Sequence, residues 1–96
     1  MSVRIERVNQ LLQAELSQLI LRELNDPRLG SLLSITQVDT AADLSYARVY
    51  VSIMAPSAEQ AAVLQGLDSA KGFLWRQLRS RLKLRRTPEL RFIQDT

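Results

Sequence analysis

Arg76, Arg79 and Lys83 are spaced by three and four residues, so on a helix they share one face. Arg81, Lys83 and Arg85 alternate with Leu82 and Leu84, so in extended chain the charges face solvent while the leucines pack inward. Either geometry makes a cationic ridge able to track a row of phosphates. Lys71 and Arg86 lengthen the run, and Trp75 sits inside it, either as cover for the core or as a platform on which an RNA base stacks. Ala70-Lys71-Gly72 begins the run with two small residues around a cation. Glycine interrupts a helical pattern and lets another backbone approach closely. A helix restarting there offers free N–H groups and its positive dipole end to a phosphate. A kink made for packing alone is the plainer reading, and the two are compatible.

A row of cations on a helix is often only a solvated face. Here the distribution of charge favours an anionic partner. Residues 1–70 carry five basic and eight acidic side chains, whereas residues 71–96 carry eight basic and two acidic. Eleven of the 13 basic residues are arginine, the better residue for bidentate phosphate contacts and stacking. Arg4 and Arg7 lie near Glu6 and Glu15, so surface pairing is as good an account of them as phosphate contact. Arg48 and Tyr50 project from the polar face of a strand, where RNA contact is one reading and simple solvation the plainer one. The 96 residues contain no cysteine and no histidine, which removes thiolate chemistry, the usual zinc ligands and the commonest general base. Asp26, Asp39 and Asp43 stand at expected turns, and neither a paired acid/base site nor a glycine-rich phosphate loop is visible. The chain is expected to be a non-enzymatic, monomeric binding protein without cofactor or metal. Met1 is not followed by a signal peptide pattern and no apolar run is long enough to span a membrane, so a soluble cytoplasmic protein is expected.

The elements that must position these residues are read from periodicity. Ile5, Val8, Leu12, Leu16, Leu19 and Ile20, widened by Leu11 and Leu24, predict an amphipathic helix over 2–24, ended by Asn25-Asp26-Pro27, with a further turn at Gly30. Residues 32–39 predict a strand whose imperfect alternation points to a bulge near Gln37. Thr40-Ala41-Ala42-Asp43 predicts a hairpin connection. Ala47, Val49, Val51 and Ile53 alternate with Tyr46, Arg48, Tyr50 and Ser52, the pattern of a strand covered on one side. Ser57 and Gln60 have capping-box spacing, and Ala61, Leu64, Leu67 and Ala70 predict the buried stripe of a second helix. Phe73, Leu74, Leu78 and Leu82 predict a third helix after the kink, and residues 90–93 a last strand. A helical crossover makes the second and third strands parallel neighbours. The expected fold is α+β and type II KH-like: helix, strand, strand, helix, kink, helix, strand, with a three-stranded sheet covered by helices on one face. It forms a single RNA-binding domain over 1–96.

Several segments carry a resemblance to the ribosome-binding factor A family along essentially the whole chain. They are Arg7-Val8, Asp26-Pro27-Arg28, Ile35-Thr36-Gln37-Val38, the run from Asp43 to Ser52, Ala70-Lys71-Gly72-Phe73-Leu74, Leu82-Lys83-Leu84-Arg85 and Pro88-Glu89-Leu90-Arg91-Phe92. The resemblance implies a cytoplasmic factor for late maturation of the 30S subunit, linked to rRNA processing and cold shock. It also implies contact with 16S ribosomal RNA near its 5′ end and decoding region, and assigns the kink role to Ala70, Lys71 and Gly72. Trp75 stands where the family pattern leads one to expect a basic residue. Members often continue into a flexible tail, which a chain ending at Thr96 is expected to lack. The alternative reading is a protein-interaction module whose basic face docks an acidic partner.

Overall fold

The computed structural model describes residues 3–23 and 33–95, which form three helices and three strands. In chain order these are α1 (Val3–Arg22), β1 (Leu33–Thr40), β2 (Tyr46–Ile53), α2 (Ser57–Ser69), α3 (Lys71–Arg81) and β3 (Glu89–Gln94). The sheet order is β1-β2-β3, with β1 antiparallel and β3 parallel to β2. This is the expected α+β arrangement, with the parallel pair joined by the helical crossover. The expected turns at Asn25-Asp26-Pro27 and Gly30, and the contributions of Leu24, Arg28 and Leu32, lie outside the described residues.

The core forms where three periodic patterns meet. Val8, Leu12, Leu16, Leu19 and Ile20 of α1, Val63 and Leu67 of α2, and Leu74 and Leu78 of α3 bury against Val38, Ala47, Val49, Val51, Ile53 and Leu90 of the sheet. Burying each of the larger side chains contributes roughly 1.5–3 kcal/mol, so this shared interior is the main stabilising term. The period of two in β2 is complete, since Ala47, Val49, Val51 and Ile53 are all buried and Tyr46, Arg48, Tyr50 and Ser52 are all half-exposed. On that open face the guanidinium carbon of Arg91 lies 4.1 Å from the centroid of the Tyr46 ring and that of Arg48 lies 5.3 Å from it. Asp39 stands opposite Arg48 across the β1–β2 ladder. The open face therefore carries both signs of charge.

Four expectations are corrected in detail. Leu11 does not widen the α1 stripe; it is 41% exposed, because it lies beyond the face that α1 turns to the core. In α2, Ala61 is exposed and Val63 takes the buried place, so the helix is rotated relative to the reading from Ala61 and Leu64. The Ser57–Gln60 capping box does not form. The cap position is Pro56, which has no N–H for Gln60 to accept, and Gln60 Nε2 instead donates to the Ala55 carbonyl at 2.9 Å. Thr40 belongs to β1 and not to the turn, which spans residues 41–45.

The expected bulge is present, with the register shifting between Ile35 and Gln37 so that Thr36 is the extra residue. At this irregularity Gln13 Nε2 of α1 donates to the Ile35 carbonyl at 3.1 Å. Farther along, Asn9 Oδ1 accepts the Thr40 N–H at 2.9 Å. Two amide side chains of α1 thus satisfy main-chain groups of the edge strand β1 and set the helix along it. Thr40 Oγ1 beside them is buried and has no hydrogen-bond partner among the described residues. An unpaired buried hydroxyl costs about 1–3 kcal/mol. Thr40→Val keeps the shape and removes the hydroxyl, and is expected to raise unfolding stability by about 1 kcal/mol in urea titration. A loss of stability would show that the hydroxyl has a partner.

Candidate nucleic-acid interface

The α2–α3 junction is a single residue. Ala70 receives the end of one helix and starts the next. Its N–H reaches the carbonyls of Gly66 and Leu67 at 3.1 and 3.0 Å, and its own carbonyl accepts the Leu74 N–H at 2.9 Å. Ala70 packs against the core, so its small side chain serves the packing role. Gly72 has a different environment. Among the described residues, an added Cβ there would meet only Arg76 Nη1, at 3.4 Å, and no backbone within 4 Å. The expected close backbone approach at Gly72 is therefore not seen; the surface above it is open. No side chain caps the start of α3 and no acidic residue lies in its first turn.

Leu74 and Leu78 are fully buried, and the flank of α3 beside them, carrying Lys71, Trp75 and Arg79, faces the segment 82–88. After Arg81 the chain becomes extended, with Leu82 at φ −107 and ψ 132, so side chains alternate as expected. Leu82 and Leu84 pack against the core while Lys83 and Arg85 are exposed. Between α3 and this segment runs an open groove of about 920 Å³ lined by Lys71, Gly72, Trp75, Arg79, Lys83, Arg85 and Arg86 over apolar Leu82, Leu84 and Leu90. Glu89 is the acidic residue of its lining, and it lies 3.7 Å from Arg91.

Trp75 resolves into a strut. Its indole Nε1–H donates to the Thr87 carbonyl at 3.1 Å, tying the segment 82–88 to α3 and setting the width of the groove. The Arg79 guanidinium carbon lies 5.5 Å from the centroid of the half-buried ring, in the range of a cation–π contact. Lys71 Nζ lies 3.4 Å from Asp68 Oδ1 one turn back, an exposed pair that holds it only weakly.

Two of the expected cations stand apart. Arg76 is exposed on α3 but does not line the groove, and its guanidinium lies near the kink at Gly72. Arg81 faces α1, where its Nη1 lies 3.3 Å from Glu15 Oε1 and its Nη2 3.3 Å from Glu23 Oε1. Arg81 is thereby a clasp between helices and not part of the ridge, because the last turn of α3 carries it round past Leu78. Sequence spacing placed it beside Lys83, but the helix ends between them and reverses that relation. Beyond Arg85 and Arg86 lies Asp43, which organises the β1–β2 turn as expected. Its Oδ1 accepts the Ser45 hydroxyl at 2.7 Å and the Ser45 N–H at 3.0 Å. These bonds, the hydroxyl first, hold its carboxyl below the usual carboxylate value. Among the described residues no group of three or more acidic side chains could hold a metal ion, and no helix is long and apolar enough to cross a membrane.

Trp75→Phe removes the indole donor and leaves the Thr87 carbonyl unpaired. Stability is expected to fall by about 1 kcal/mol in denaturant titration, since the ring volume is largely kept. No change would mean that the tie to Thr87 is not holding the segment.

The ribosome-binding factor A family model matches residues 4–96. The ribosome-binding factor A of Acetivibrio thermocellus is 49% identical over 92 residues, covering 96% of this chain and 75% of that protein. That of Lachnoclostridium phytofermentans is 47% identical over 94 residues, covering 98% and 69%. Among solved structures, the crystal structure of ribosome-binding factor A from Thermus thermophilus aligns with a TM-score of 0.82 at 29% identity over 94% of each chain. A Thermus thermophilus ribosome-binding factor A model, fitted into a cryo-electron microscopy map of a 30S complex, aligns with a TM-score of 0.72 at 32% identity over 88% of each chain. With the fold and nearly the full length of the sequence in agreement, the chain belongs to the ribosome-binding factor A family.

Proposed function

We propose that this protein binds the small ribosomal subunit through 16S ribosomal RNA during late maturation, using the groove between α3 and the segment 82–88. The observation that carries the reading is the line of five cations, Lys71, Arg79, Lys83, Arg85 and Arg86, along one groove. The uncapped start of α3 adds backbone donors and dipole at the end of that line. The Thermus relative in a 30S complex supports the same partner. The action is binding alone, as a monomeric single domain in the cytoplasm. A protein that prefers one RNA conformer shifts the population toward it without making or breaking a bond. Such a preference matters most in the cold, where wrongly paired RNA escapes slowly, which fits a role in cold adaptation and rRNA processing.

Five neutralised phosphates of single-stranded RNA give a slope of log affinity against log salt of about −3.5, or about a 100-fold weakening between about 50 and 200 mM salt. Reversing charge at Arg79, Lys83 and Arg85 together is expected to lower affinity for purified small subunits by more than about 100-fold and flatten the slope to about −1.5. Retained binding by that variant would place the contact elsewhere. Nuclease treatment of a cell extract is expected to release the bound partner; a partner that survives it would be an acidic protein. Arg81→Gln serves as the counterpart. It is expected to leave RNA affinity nearly unchanged and to reduce stability by less than about 1 kcal/mol, because both its ion pairs are solvent-exposed. Strong loss of RNA binding in this variant would return Arg81 to the interface.

A further inference from the structure

Arg85 and Arg86 stand between two depressions. On one side is the groove. On the other is a cleft of about 480 Å³, lined by Arg4, Ile5 and Val8 of α1, by Ala42, Asp43 and Leu44 of the β1–β2 turn, and by the same two arginines. Its volume lies in the range of small-ligand pockets, roughly 300–1,000 Å³, and is ample for one nucleobase.

The lining divides by chemistry. Ile5, Val8 and Leu44 supply apolar contact, with Val8 buried and Leu44 packed against the core. Leu44 holds a left-handed backbone conformation at φ 63, uncommon for a residue with a side chain, and its N–H bonds to the Ala41 carbonyl at 2.9 Å. The turn thus keeps a leucine at the cleft instead of the glycine its backbone would favour. Asp43 is the acidic group of the lining, and the two Ser45 hydrogen bonds fix the rotation of its carboxylate. Both fall on Oδ1, which leaves the acceptor capacity of Oδ2. Because its carboxyl is held below the ordinary value, by Ser45 first with Arg86 adding to the effect, this oxygen is an acceptor only at neutral pH.

A pocket for an unstacked base needs an apolar contact for the ring, a polar group to read one edge, and cations for the flanking phosphates. All three meet here. Resting on the RNA reading of the groove, we propose that this cleft takes one base of a strand whose backbone crosses Arg85 and Arg86, and that Asp43 selects bases with an exocyclic amino group over uracil. Cytosine, adenine and guanine each offer an amine to a carboxylate oxygen. Uracil offers one edge N–H set between two carbonyl oxygens, which a carboxylate repels.

Cytosine and uracil form the cleanest comparison, because as pyrimidines of nearly equal size they differ only at that edge, by an amino group in place of a carbonyl and a bare ring nitrogen in place of an N–H. Affinities for short oligocytidylate and oligouridylate of equal length are measured at neutral pH and low salt. The native protein is expected to prefer oligocytidylate by about tenfold or more, as for one hydrogen bond to a charged group. Asp43→Asn keeps an oxygen to accept from Ser45 but presents an N–H₂ donor in place of the second oxygen. It is expected to lose or invert the preference, with its thermal unfolding checked alongside. Equal affinity of the native protein for the two RNAs overturns the base pocket whatever the variant does, and an unaltered preference in a folded Asp43→Asn does the same. Either result leaves the groove reading standing, whereas failure of the native protein to bind either RNA removes both.

Discussion

Leu74 and Leu78 are fully buried, and their packing fixes the rotation of α3 about its own axis. A helix of 11 residues held at two positions one turn apart has little freedom to roll. Every other side chain on it is then directed by geometry: Lys71, Trp75 and Arg79 toward the groove, and Arg81 toward α1. The candidate interface is in this sense a consequence of the core. Its cations need no ion pairs of their own to be aligned, because the leucines behind them do the aligning.

The break at Ala70 adds the second constraint. One residue between two helices makes their axes diverge, so α2 packs on β3 while α3 reaches both β3 and α1. The start of α3 at this break has no capping side chain. In an ordinary helix terminus such donors are usually satisfied locally. An uncapped start beside the exposed Gly72 is an arrangement that favours an anion there. Alanine and glycine therefore have separate duties in the kink: one fills the core side and the other leaves the solvent side open.

Charge is sorted by the same packing. Arg81 is drawn to Glu15 and Glu23, residues distant in sequence, and closes α3 against α1. Lys71 and Arg91 keep near acidic neighbours at 3.4 and 3.7 Å, but both pairs are exposed and so weakly held. Water and salt screen such pairs, and a phosphate competes with them readily. Arg79 instead rests near the face of Trp75, a contact that orders the guanidinium without neutralising it. The groove consequently retains positive potential despite the acidic groups close by.

Much of this was legible along the chain because it is local. The alternation in β2, the stripe of α1, the broken pattern at Ala70 and the concentration of arginine after residue 70 all depend on near neighbours, and all reappear in the fold. The family resemblance rests on the same local segments. What the tertiary structure decided is pairing between residues far apart. Arg81 left the ridge because α1 brings two glutamates to it, Trp75 became a strut because Thr87 stands within reach, and Arg85 and Arg86 acquired a second cleft because the β1–β2 turn and the start of α1 lie beside them. Periodicity records which face of an element is apolar, but not how far that face is rotated when it packs. A modest turn of α2 moved burial from Ala61 to Val63, and only the fit of helices against the sheet sets that angle.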